Sequence, residues 1–212
     1  MTAETLIVPR APFDMEEPWM MPAACVPVRL LRATDGAPPR LATTVAAWFD
    51  ETYLSVLFST ADDYVRSTLI QHDAPLYEED VVEIFLAPET LRHYFELEVS
   101  PRGTLFDARI DSPDGHRGTM SVDREWNCDG LVAAVRSVIE KSGSTSTDTI
   151  VRVPFAALER GVPINGETWR VNFFRIDRHP DLGDEYSAWQ PTLKTPADFH
   201  VPAAFGTLLF QR

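Results

Sequence analysis

The sequence predicts an all-β chain folded as an antiparallel β-sandwich, of jelly-roll or immunoglobulin-like type, with one or two short helices. Three observations carry this. Short stretches rich in Val, Ile, Phe and Thr recur along the chain, separated by clusters of Pro, Gly, Asp and Ser. Several of them alternate apolar and polar residues with period two, as half-buried strands do. Strand-like segments do not alternate with long helix-like ones, which excludes a parallel α/β sheet.

In chain order, residues 1–25 read as an extended arm. Pro9, Pro12, Pro18 and Pro22 remove backbone donors and forbid a helix, while Phe13, Trp19 and Met20 give the arm something to pack with. The domain proper is expected over 26–212. Residues 26–31 form a short strand, and Thr34-Asp35-Gly36-Ala37-Pro38-Pro39 a loop. Residues 43–49 and 53–60 make a hairpin across Asp50-Glu51-Thr52, apolar at nearly every position and so buried on both faces, with Trp48 in the core. Residues 64–70 form one or two helical turns.

Three consecutive strands follow at 81–86, 94–99 and 104–110, divided by Ala87-Pro88-Glu89-Thr90 and Ser100-Pro101-Arg102-Gly103. Residues 112–127 hold Pro113, Gly115 and Gly118 and read as a long flap. A strand at 130–141, a turn at 142–147 and a strand at 148–153 come next. Pro154 and Gly161 bracket a short helix. Residues 168–177 are a strong strand, 179–199 a long loop, and 206–211 the closing strand.

The 212 residues carry a net charge of −13, with 44% hydrophobic and 24% charged residues, which allows a substantial core. The acidity argues against nucleic acid, whose phosphates require Lys and Arg, and against anionic membrane surfaces. No apolar run is long enough to span a bilayer. The N-terminal residues lack the basic region and apolar core of a secretory signal, so a cytoplasmic location is expected on the given sequence, and a secreted one if a leader is missing. Cys25 and Cys128 form one bridge or none.

The strand at 81–86 sets Val82, Ile84 and Leu86 on one face and Val81, Glu83 and Phe85 on the other. A carboxylate between two large apolar neighbours points beyond a plain surface. Sequential hairpin pairing is expected to put Glu83 on one face with Tyr94, Glu96, Glu98, Asp107 and Arg109. That face is either solvated or a ligand surface. Sugar rings need a flat aromatic platform beside hydrogen-bonding groups, and Trp189, placed in a loop, is the expected platform. A carboxylate pair among Glu83, Glu96 and Glu98 would also suit a glycoside hydrolase. Asp62, Asp63 and Asp80, near strand ends, are the expected calcium ligands. Signatures of P-loops, zincins and nucleophile elbows are absent.

The run Pro75, Tyr77, Glu78, Asp80, Val82, Glu83, Ile84, Phe85, Leu86 resembles the family-nine carbohydrate-binding modules. Glu185-Tyr186-Ser187-Ala188-Trp189-Gln190-Pro191 and the ending Phe199-His200-Val201-Pro202 with Phe205-Gly206-Thr207-Leu208 are similar to it as well. The resemblance implies a non-catalytic β-sandwich that binds an oligo- or polysaccharide, is associated with polysaccharide breakdown and holds structural Ca2+. It implies a sugar held between two tryptophans, with a glutamate and an arginine on its hydroxyls. By position Trp189 matches one tryptophan and Glu78 the glutamate, while His72 or Tyr77 would replace the other tryptophan. The family's aromatic-x-Arg is Tyr94-Phe95-Glu96 here, and Arg109 is the expected substitute. Related sandwiches hold haem, for which Met120 and His93 are the available axial groups.

Overall fold

The computed structural model describes residues 4–139 and 143–212, and among these the regular structure is strand with four short 3₁₀ turns. The strands are β1 (Thr5–Pro9), β2 (Val28–Arg29), β3 (Leu31–Arg32), β4 (Thr43–Phe49), β5 (Tyr53–Asp62), β6 (Val81–Ala87), β7 (His93–Val99), β8 (Leu105–Asp111), β9 (Ser121–Asp123), β10 (Val132–Ile139), β11 (Thr145–Pro154), β12 (Thr168–His179), β13 (Gly183–Ala188) and β14 (Gly206–Gln211). The β-sandwich expected from the sequence is present. One sheet runs β1-β14-β12-β6-β7-β8-β9, with β13 and β3 alongside β12, and the other runs β10-β11-β5-β4-β2.

Apolar alternation explains which way each strand turns. Val82, Ile84 and Leu86 of β6 meet Val45, Ala47, Phe49, Val56 and Phe58 of the facing sheet, and all are buried. The outer face of the smaller sheet carries Trp48, Leu57 and Ile150, and Phe13, Trp19 and Met21 of the arm cover it. Phe13 stacks on Trp48 at 6.3 Å between ring centroids. Met20, expected to pack, is exposed instead. The outer face of the larger sheet holds a third cluster, Phe85, Tyr94, Phe106, Phe174, Phe199 and Phe205 among it.

Some elements differ from expectation. The arm is not wholly separate from the domain, because β1 pairs in parallel with β14. Residues 64–70 are not helical; their backbone is held by carboxylates, with Arg66 and Thr68 amides donating to Asp80 and Glu79. The short helix after Pro154 is a 3₁₀ turn, Phe155–Leu158, closed by Glu159 in a left-handed conformation rather than by Gly161. The expected loop at 179–199 contains β13, which folds back on β12. The strand at 130–141 appears as β10, and the turn at 142–147 as the start of β11; residues 140–142 of these expectations lie outside the described residues. Cys25 and Cys128 are both buried and free, in separate apolar clusters.

Trp189 follows β13 directly and turns inward. It is 2% exposed, stands 5.8 Å from the Phe173 ring and belongs to the core between the sheets. Gly206 makes room for it, since a Cβ there would overlap the indole carbons. An expected exposed platform is therefore a core anchor, and the glycine is required by close approach. Gly206→Ala should cost about 1–3 kcal/mol or more through overpacking. Trp189→Ala should cost about 3–5 kcal/mol through the cavity left behind. Both are read as lowered urea midpoints with unchanged slope.

A cleft over buried glutamates as the candidate binding site

β6 lies between β12 and β7, so its register is fixed on both sides. With Val82, Ile84 and Leu86 committed to the inter-sheet core, Glu83 and Phe85 must point to the outer face. Pairing then sets Glu83 opposite Glu98 and Phe85 opposite Glu96. On β8 the same face takes Phe106, Ala108 and Ile110, because Glu98 pairs with Phe106 and Glu96 with Ala108. Asp107 and Arg109 point to the other side. Arg109 is exposed there and pairs with Asp123 at 2.9 Å, so it does not reach the glutamates. The expectation had slipped this strand by one residue, which inverts every side chain.

Over this face lies a cleft of about 710 Å³. Glu83 and Glu96 line its floor with Phe85 and Phe106. Its walls come from Tyr77, Tyr186 and Phe199, and its cations are Arg117, Arg124, Arg178 and Lys194. Arg178 ties two walls together: it donates to the Tyr186 hydroxyl at 2.6 Å and to the Tyr77 carbonyl at 2.5 Å. Arg124 donates to the Tyr77 hydroxyl at 3.3 Å. Phe199 stacks on Phe174 at 4.1 Å. Arg117 is held by Asp198 at 2.7 Å. Residues 194–200 come from the segment after Trp189, so the buried indole anchors one wall of the cleft.

The floor is unusual electrostatically. Glu83, Glu96 and Glu98 are all buried. Burial, with Glu96 as a like-charged neighbour, pushes the Glu83 carboxyl well above its ordinary range. Burial likewise raises Glu98, with Glu83 and Glu96 adding to it. Burial lifts Glu96 to about 7, against a hydrogen bond with Glu98 and the nearby guanidinium groups of Arg117 and Arg124. Tyr94 is buried, its acidity suppressed by burial first and then by Glu96, and its hydroxyl meets His200 Nδ1 at 2.9 Å. His200 is pushed down to about 4 by burial, so a neutral ring faces Glu96.

The remaining expected residues separate. Tyr77, Glu83, Tyr94, Glu96 and Glu98 gather at or beneath the cleft, whereas Glu78 is exposed on the 3₁₀ turn Leu76–Glu78 and does not line it. The glutamate in the cleft is the strand residue Glu83. Trp189 and Arg109 are outside it. Met120 lines the cleft, but His93 sits on the opposite face, paired with Asp111 at 2.8 Å, so the axial pair considered for haem does not converge. Tyr186, Arg178, Arg124, Arg117, Lys194 and Phe199 were missed. Tyr186 stood within a motif already singled out; the cations carried no spacing signal.

The expected calcium ligands also divide. Asp62 and Asp80 meet Asp177 at one end of the sandwich, each offering an oxygen within 4.8 Å of the others. Asp63 is outside this group, paired with Arg40. Calcium takes roughly six to eight oxygens. Here Arg175 donates to Asp62 at 2.8 Å and lies 3.7 Å from Asp177, and Arg40 reaches Asp177 at 2.5 Å. Asp80 accepts from the Arg66 and Arg178 amides at 2.6 and 2.7 Å. Guanidinium groups occupy the place of a cation, and this donor set does not fit the calcium expectation.

The sequence profile of Carbohydrate-binding family 9 matches residues 37–210. The chain belongs to that family. A protein of Arthroderma benhamiae, named as an extracellular protein, is 28% identical over 188 residues, covering 79% of this chain and 78% of that one. A candidate carbohydrate-binding protein from Bacteroides uniformis shares the fold with a TM-score of 0.76 at 17% identity, over 99% of this chain and 100% of that chain. A family 9 module from Caldicellulosiruptor kristjanssonii, solved with cellotriose, aligns with a TM-score of 0.63 at 14% identity, over 98% and 94% of the two chains.

Burial lifts Asp80 to about 7, against its two amide donors. The folded chain then keeps a proton on Asp80 that the unfolded chain releases near 4. Stability from this group is therefore lost as pH rises from about 4 to 7. Asp80→Asn should gain on the wild type by on the order of 1–3 kcal/mol between pH 5 and pH 8, read by urea unfolding at both values.

Proposed function

We propose that this protein binds carbohydrate non-catalytically, in the cleft on the outer face of the larger sheet. The observation that carries the reading is the composition of that cleft in a family 9 chain. Acceptors on its floor, Glu83 and Glu96, face donors on its walls, Arg117, Arg124 and Lys194, with Tyr77, Tyr186 and Phe199 beside them. A pyranose presents apolar C–H faces and a rim of hydroxyls, each at once donor and acceptor. Aromatic walls take the first and mixed-charge groups the second. The cellotriose complex of the Caldicellulosiruptor module makes β-linked glucose oligomers the first ligands to try.

The binding mode differs from the one the family resemblance implies. Trp189 is in the core, so Tyr77, Tyr186 and Phe199 supply the apolar contact. Glu96 stands where an arginine was expected, and the guanidinium groups come from Arg124, Arg117 and Arg178 instead. Association with polysaccharide breakdown belongs to the same reading and rests on the family alone.

Titration calorimetry with glucose, cellotriose and xylo-oligosaccharides should give one site per chain. Tyr186→Ala and Arg124→Ala should each weaken it about tenfold or more, the loss of about 1.4 kcal/mol that one stacking or charged hydrogen bond represents. Absence of heat with every sugar, in a folded protein, refutes the reading. Release of phenol from an aryl glycoside, abolished by Glu83→Gln, would assign a hydrolase to the same floor.

A further inference from the structure

Among the described residues stand two buried acid triads, and they are compensated differently. Asp62, Asp80 and Asp177 are met by Arg175 and Arg40, as described. Glu83, Glu96 and Glu98 have no such ion-pair partner among the described residues. Among the described residues none of the three forms an ion pair with a lysine or arginine; the His200 ring lies 3.9 Å from Glu96, and Arg117, Arg124 and Arg178 act on the triad only from beyond ion-pair distance. These guanidinium groups are engaged elsewhere: Arg178 with Asp184, Tyr186 and Tyr77, Arg117 with Asp198, and Arg124 with the Tyr77 hydroxyl. A third group, His72, Asp73 and Asp107, is partly exposed and paired within itself.

The oxygens themselves supply the second observation. Glu83 is 2% exposed and its Oε1 lacks a hydrogen-bond partner; Glu98 is 0% exposed and its carboxyl group has no partner outside the triad, only Glu96 within it. Buried polar atoms in native proteins are ordinarily paired. Glu83 and Glu98 are direct cross-strand partners, the arrangement in which like charges repel most. One oxygen from each of the three residues lies within 4.8 Å of the others. Oxygens that share one calcium ion, each at about 2.3–2.6 Å, lie no farther apart than about that distance.

We propose that Glu83, Glu96 and Glu98 form a binding site for a hard divalent cation, calcium or manganese, at the floor of the cleft. The all-carboxylate donor set selects such ions over soft ones. Glu83 and Glu98 lie on adjacent central strands, which fixes the spacing of two ligands without any loop. Glu96, the most open of the three, faces the cleft and gives the ion its entry. The remaining coordination positions point into the cleft and take water. The site does not depend on the sugar reading, since the ion is added with no sugar present.

The full-length chain, stripped with EDTA and dialysed, is titrated with CaCl2 and with MnCl2 by calorimetry, and free Mn2+ is followed by its paramagnetic resonance signal. One equivalent should bind. Glu98→Gln, an isostere that removes only charge, should weaken binding more than the roughly 10–100-fold that loss of an outer-shell partner costs. Asp177→Asn should bind as the wild type does. Circular dichroism checks that each variant is folded; should Glu98→Gln not fold, Glu83→Gln is read in the same way. No binding of either ion by the folded wild type overturns the site. So does binding that survives Glu98→Gln and Glu83→Gln but is lost in Asp177→Asn.

Discussion

The repulsion between two glutamates facing each other across a buried strand pair is the constraint around which this molecule is arranged. Glu83 and Glu98 are opposite one another in the β6–β7 ladder, out of contact with water. Neither can turn away, because the strands are pinned by what lies beneath. A shift by one residue would carry Val82, Ile84 and Leu97 out of the inter-sheet core and bring charge into it. The apolar interior therefore dictates the polar exterior. Burial first, and like-charged neighbours second, raise both carboxyl groups well above their ordinary range.

The aromatic cluster above the sheet has the complementary part. Phe85, Phe106, Phe174, Phe199 and Phe205 close over the outer face and lower its polarity, which strengthens every charge interaction near the floor. The wall segment that contributes Phe199 and His200 is fixed at its start by Trp189, buried against Phe173, and at its end by Gly206, which leaves space for the same indole. A core contact on one side of the sheet thus determines the shape of the cleft on the other. At the far end of the sandwich Arg175 joins the sheets, donating to Thr43 at 3.3 Å and to the Ala61 carbonyl at 2.7 Å as well as to Asp62. There the acids serve cohesion between layers rather than contact with a ligand.

Much of the fold was legible because strand signals are local. The hairpin at 43–60 needed only its apolar runs and the polar join between them. The strands containing Glu83 and Glu96 were visible in period-two alternation. Less legible were the elements that depend on a distant partner. β1 has the composition of an arm, and only β14 beside it makes it a strand. β13 is Gly183-Asp184-Glu185-Tyr186-Ser187-Ala188, poor in strand formers, and is held by β12 on one edge and β3 on the other. Residues 64–70 had a helical look, but their amides are taken by Glu79 and Asp80 from further along the chain.

The sequence by itself determined the strand character of the chain, its acidity, its family and the presence of glutamates between apolar neighbours, because each is written in composition or in spacing over a few residues. Tertiary structure alone decided which side of the sheet Arg109 occupies, that Trp189 is interior, and that Asp177 rather than Asp63 joins Asp62 and Asp80. Those outcomes depend on register and on the close approach of residues far apart in the chain. A single-residue step in register inverts a face, and no local pattern records it.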